Sequence, residues 1–163
     1  MIAIKVRADF ESVRLCLCEI RAWLNKQDVD ADTLGRCELV LAEALNNIVK
    51  HAKLRDGAAI AVLVYLAEAH VRILLRDPGQ ARLDENTLNS PPPDNFQTIG
   101  QLPVGGFGWM LIRKLARNVN YVHSGGGNLL TMSVPFDATL PSGFRLAAAC
   151  PNITLNRPQS RPS

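Results

Sequence analysis

Ile2, Ile4 and Val6 alternate with polar or small neighbours, which predicts a short first strand. Asp9 or Ser12 can then cap a helix whose apolar positions Val13, Leu17, Ile20 and Leu24 follow helical spacing. Asp28 to Asp32 form a polar break. A second helix is expected from about Thr33 to Ala52, with Leu41, Leu45, Ile48 and Ala52 on one face and Gly57 beyond its end. Ile60 to Leu66 and Val71 to Leu75 are β-rich runs joined by Ala67-Glu68-Ala69-His70, the pattern of an antiparallel hairpin.

From Pro78 to Gly105 the periodicity is lost, and Pro91-Pro92-Pro93 lies inside this stretch. A loop of that length in a compact domain is usually a lid, a binding loop or disordered. Gly105-Gly106-Phe107-Gly108 leads into a third helix, Trp109 to Arg117. A second hairpin pairs Asn118–His123 with Leu129–Val134 across Ser124-Gly125-Gly126-Gly127-Asn128. Beyond Pro151 the chain is rich in Pro, Asn, Arg and Ser, the composition of a loosely held tail. Helices and hairpins in this order predict a two-layer α/β (α+β) sandwich: a mixed, mostly antiparallel sheet with its helices on one face.

The chain of 163 residues fits a single domain with a core of its own. Hydrophobic residues make up 47% and charged residues 20%, an ordinary globular balance. No apolar run approaches the ~20 residues that span a bilayer, and the alternating N-terminus is unlike a signal peptide. These features predict a cytoplasmic protein with no membrane partner. The net charge of +3 lies largely after Phe136, where Arg145, Arg157 and Arg161 face one acid, Asp137. The remaining basic residues are scattered and form no phosphate-tracking stripe, so direct nucleic-acid binding is not expected. Cys16 and Cys18 stand two residues apart in a helical pattern and point to nearly opposite faces, so they cannot share a metal. Reduced cysteines acting as small core residues fit a cytoplasmic chain.

Three clusters carry candidate chemistry. Glu43, Asn47 and His51, spaced i, i+4 and i+8, form a narrow helical stripe with Lys50 beside it. Such a stripe can aim an acid, an amide oxygen and an imidazole into a cleft, although periodicity alone favours a solvated helix face. Arg76-Asp77-Pro78-Gly79 ends a strand; the carboxylate can accept from an amino group, and Gly79 lets a flat ligand approach the backbone. The same residues also make an ordinary turn. The glycines at 105, 106 and 108 open a helix, where bare N–H groups suit phosphate oxygens, or else they simply turn the chain. No Lys-Ser/Thr pair follows them, which excludes a Walker A loop.

Taken in order, the clusters resemble the N, G1 and G2 boxes of the GHKL superfamily of ATPases. Glu43-Ala44-Leu45-Asn46-Asn47-Ile48-Val49-Lys50-His51-Ala52 matches the first, Asp77-Pro78-Gly79 the second, and Gly106-Phe107-Gly108-Trp109-Met110-Leu111-Ile112 the third. The N-terminal strand and helix, and the closing Tyr121…Gly127-Asn128-Leu129-Leu130, are similar to RsbW-type anti-sigma-factor kinases. The resemblance implies a Bergerat ATP-binding fold over residues 1–136, an ATP lid over residues 80–105, and a C-terminal extension over residues 137–163. It implies ATP and Mg2+ as cofactors. Asn47 would hold the metal and Glu43 would orient or deprotonate the attacking group. Asp77 would read the adenine amino group above Gly79, and Gly106, Phe107 and Gly108 would line the phosphates. His51 would support the phosphate side or pack on the lid, and Thr131 is an adenine-side candidate.

The implied function is a serine/threonine kinase that holds a sigma factor or similar regulator and phosphorylates a small antagonist protein, with a homodimer left open. Two departures bear on it. Asn118 stands where many such sequences carry an acid. Arg82 is the sole basic residue between 80 and 105, with Pro103-Val104 where some relatives place an arginine. Phosphoryl transfer depends on charge neutralisation, so an ATP-dependent binding module without efficient kinase activity is the first alternative. The catalytic domain of a split histidine kinase is the second, although no phosphoacceptor-type helix pair precedes the ATP domain.

Overall fold

A computed structural model of the chain describes residues 1–81, 107–124 and 126–136, with Phe107 described by its backbone alone. Strand β1 (Ile2–Arg7) is followed by helices α1 (Phe10–Lys26) and α2 (Ala31–His51). A hairpin of β2 (Ala59–Ala67) and β3 (His70–Asp77) comes next. Helix α3 (Phe107–Leu115) and a second hairpin, β4 (Arg117–Ser124) and β5 (Gly127–Pro135), complete the described part.

The five strands form one sheet in the order β1-β2-β3-β5-β4. Among the described residues every neighbouring pair is antiparallel, in keeping with the mostly antiparallel sheet expected, and no pair is parallel. Between β1 and β2 the reason is the number of connecting helices. Two helices between β1 and β2 bring the chain back to the end from which it left, so β2 must run against β1. β3 and β4 run the same way, but β5 inserts between them and leaves no parallel neighbours among the described strands.

Alternate residues of each strand face the helices. Val6, then Ile60, Val62 and Val64, then Val71, Ile73 and Leu75, then Leu130, Met132 and Val134 are all buried. Against them lie Val13, Cys16, Ile20 and Leu24 of α1, Val40, Leu41, Ala44 and Leu45 of α2, and Ile112 of α3. Helix α2 packs between α1 and α3 and also touches β3 and β5, which places it over the centre of the sheet. No described helix is long and apolar enough to cross a membrane.

Local chemistry sets the helix starts. Asp9 caps α1 by accepting from the Ser12 N–H at 2.8 Å. Asp30 caps α2 in the same way, accepting from the Thr33 N–H at 2.8 Å. A β-region aspartate that satisfies an orphan N–H is a strong start signal, so α2 begins at Ala31, earlier than apolar spacing suggested. Helix α3 begins at Phe107, which places Gly108 inside its first turn rather than ahead of it. Asn118 has φ +50 where the β4–β5 register shifts. Asparagine tolerates that left-handed backbone better than most residues.

Candidate functional site

Helix α2 is the axis of the site. Its apolar side is anchored in the core by Leu41, Ala44 and Leu45, so Glu43 and Asn47, on another side, stay half-buried rather than fully solvated. Helix α3 closes over them at Gly108. A Cβ built on Gly108 would collide with Glu43 Oε2 and lie 3.3 Å from Asn47 Nδ2. Only a glycine lets the α3 backbone come this near the two side chains. Asn47 Nδ2 is buried and has no hydrogen-bond partner among the described residues. A buried amide edge without a partner is costly. Because the two ends of an amide are nearly isosteric, the side chain can turn Oδ1 to a cation or Nδ2 to an anion, so it fits a charged ligand.

The other end of α2 meets the G1 segment. The helix stops at Ala52, and Lys53 turns the chain with φ +48. Gly79 packs directly on Ala52: an added Cβ would collide with the Ala52 carbonyl oxygen and lie 2.9 Å from its Cβ. Asp77 ends β3 on the helix side of the sheet and is 3% exposed. Its Oδ1 accepts from the Gly79 N–H at 2.8 Å and from Asn128 Nδ2 at 2.9 Å. Its Oδ2 has no hydrogen-bond partner among the described residues. The rise of an α-helix puts Glu43 and Ala52 about 13 Å apart along the axis, comparable to the length of an extended nucleoside triphosphate.

Asn128, to which the sequence reading assigned no role, is central here. It is 3% exposed and lies directly across from Asp77 in the β3–β5 register. Gly127 before it, at φ +120, lets β5 start against the Asp77 and Pro78 backbone, where an added Cβ would be 2.9 Å from Pro78 Cα. The signal was present in the sequence, since Asn128 closes the glycine turn. Only the register shows which residue it faces.

The remaining candidates divide. His51 is the last residue of α2 and is exposed. Thr131 pairs with Leu74 and Asn120 and alternates with the buried Leu130 and Met132, so it faces away from the helices and from Asp77. The structure does not bring it to the others. Phe107 is the first residue of α3. Gly106, residues 82–105 of the expected lid and residues 137–163 fall outside the described residues.

A family model described as the histidine kinase-like ATPase domain matches residues 6–134. The chain belongs to that family. It is 29% identical over 131 residues to the serine-protein kinase RsbW of Bacillus cereus strain AH820, covering 79% of this chain and 81% of the relative. The RsbW of Bacillus thuringiensis strain Al Hakam is 28% identical over 131 residues, with the same coverage. A solved structure of RsbU and RsbW domains from Mycobacterium tuberculosis superposes with a TM-score of 0.58 at 19% identity. It matches 83% of this chain and 32% of that one, and it bears on the fold alone. The resemblance to GHKL ATPases and RsbW-type kinases is therefore upheld across most of the described chain.

Proposed function

We propose that this domain binds ATP with Mg2+ along α2 and acts as an anti-sigma-factor-like serine/threonine kinase. In that role it holds a sigma factor or similar regulator and phosphorylates a small antagonist protein. The observation that carries the reading is the pairing of two arrangements on one helix. Gly108 stands against Glu43 and Asn47 near the middle of α2, and the braced Asp77 lies beside Gly79 at its end. The similarity to serine-protein kinases named RsbW supports serine or threonine as the acceptor.

Each residue has a defined task. Asp77 Oδ2 accepts from the exocyclic amino group of adenine, and Gly79 lets the base approach the backbone. The N–H groups at the start of α3 point towards the phosphates and bring the positive end of the helix with them. Asn47 would hold Mg2+, which when bound neutralises charge on the phosphate oxygens. Glu43 takes the proton from the antagonist hydroxyl as its oxygen bonds to the terminal phosphorus and the bond to the departing ADP oxygen breaks.

The deciding experiment follows phosphate from labelled ATP to a candidate antagonist, alongside sigma-factor pull-down. Glu43→Gln keeps size and hydrogen bonding but removes the base. It should bind ATP and capture the regulator while transfer falls by ~10²–10⁴-fold. Wild-type protein that captures a partner but transfers nothing would favour the binding-module alternative, in line with the single basic residue between 80 and 105. Phosphate on a histidine would favour the split histidine kinase.

A further inference from the structure

Asn128 has five hydrogen-bond partners among the described residues, and the sense of its amide is over-determined. On one side Nδ2 faces three acceptors: Asp77 Oδ1 at 2.9 Å, the Gly79 carbonyl at 3.2 Å and the Ala81 carbonyl at 3.2 Å. On the other side Oδ1 accepts from Tyr121 Oη at 2.7 Å and lies 2.7 Å from His123 Nδ1. A reversed amide would set a carbonyl oxygen against a carboxylate and two more carbonyls. In the observed sense His123 Nδ1 must carry its hydrogen, which both the neutral ring in that tautomer and the imidazolium provide. Protonation of His123 therefore leaves this donor in place.

We propose that Asn128, oriented by Tyr121 and His123, is the positioning residue that sets base specificity, and this rests on the reading of Asp77 as the adenine-reading group. By donating to Oδ1, Asn128 and the Gly79 N–H use up that oxygen and leave Oδ2 as the single acceptor offered to a base. The same amide ties Asp77 to the carbonyls of Gly79 and Ala81, so the carboxylate and the backbone leaving β3 form one rigid unit. A purine with an amino group at the reading position is accepted. One with a carbonyl there meets an acceptor that cannot rotate away, and is refused. Tyr121 and His123 lie on β4, two strands from β3, so specificity at Asp77 is set in part from the edge of the sheet.

The test measures ATP and GTP affinities of the whole chain by calorimetry, with folding checked by thermal melts. Asn128→Asp is nearly isosteric but replaces the donor by a carboxylate beside Asp77. The ATP:GTP affinity ratio should fall by at least about ten-fold at neutral pH. It should recover as pH drops, because two adjacent carboxylates share a proton and so restore a donor. Wild-type selectivity should show no such recovery. The double variant Tyr121→Phe/His123→Ala, at the sheet edge, should lower the ratio by about five-fold and decides the matter if Asn128→Asp does not fold. A purely structural role would weaken ATP and GTP equally and lower the melting temperature without a pH signature, which would overturn the inference. Unchanged ratios in both variants would also overturn it. Wild-type protein without ATP preference, or selectivity that survives Asp77→Asn, would instead overturn the reading of Asp77 and this inference with it.

Discussion

Gly108 is where one missing side chain shapes the site most directly. Replacing it with alanine adds a methyl where Glu43 Oε2 stands, close to Asn47 Nδ2. The carboxylate is the far end of a flexible side chain, so it can swing away at little cost to the fold. Alanine also favours a helix interior over glycine by roughly 0.5–1 kcal/mol. With Glu43 in the proposed role of base, Gly108→Ala should therefore melt no lower than wild type while the proposed phosphoryl transfer falls by ~10²-fold. A melt compared with a transfer assay checks both halves, and undiminished transfer would remove Gly108 from the site. Asn47 supports a second prediction from its partnerless amide. Asn47→Ala should lose most of the ATP affinity gained on adding Mg2+ while metal-free binding stays close to wild type. Titrations with and without the ion would show whether the full magnesium effect survives, which would rule Asn47 out as the ligand.

At the scale of the element, α2 carries the site only if its start is held. Asp30 is the cap, and its carboxyl is shifted below the usual 3.8. Burial acts to raise it, but the side-chain and backbone bonds with Thr33 and the nearby Arg36 charge together outweigh that. A lowered folded pKa means a stabilising contribution present above 3.8 and lost as pH falls through the lower folded value. Asp30→Ala should cost about 1 kcal/mol at neutral pH, and Asp30→Asn much less, because asparagine caps nearly as well. Urea melts at pH 7 and below 3.8 should show the difference between wild type and Asp30→Ala shrinking in acid. The apolar spacing of α2 was legible in the sequence because Leu41 and Leu45 recur at helical intervals. Its first residues were not, because Asp28 to Asp32 look like any polar loop until Thr33 is seen to donate to Asp30.

For the molecule as a whole, the buried cysteines report on the integrity of the two layers. Burial pushes the thiols of Cys16 and Cys37 up to about 12, from an ordinary 9.0. Between those values the unfolded chain has released protons that the folded chain keeps, so the fold loses stability as pH rises from 9.0 towards about 12. Cys18, on the opposite side of α1, is exposed. A thiol reagent at neutral pH should modify Cys18 in the native protein and reach Cys16 and Cys37 only in denaturant. Peptide mapping would reveal the order, and early labelling of Cys37 would mean that α1 and α2 do not pack as described.

Local repetition in the sequence was enough for the helices, the two hairpins, the alternation of the first strand and the three ordered clusters. Each depends on a pattern within one element: period two in β1, β-rich runs in β2 and β3, period 3.6 in α1 and α2, and i, i+4 between Glu43 and Asn47. Tertiary structure alone decided what depends on two distant elements meeting. The all-antiparallel order of the described strands follows from the two helices between β1 and β2 and from β5 entering between β3 and β4. The approach of Gly108 to Glu43 needs α3 laid across α2. The Asp77–Asn128 bond joins residues 51 apart in the chain, and it separates Asn128 from Thr131, only three positions later. On a strand an odd step reverses the face, so Asn128 reaches the carboxylate from the helix side while Thr131 points out from the other. Side-chain alternation was visible in the sequence, but which alternate position meets Asp77 is fixed by strand register, and register is a property of the assembled sheet.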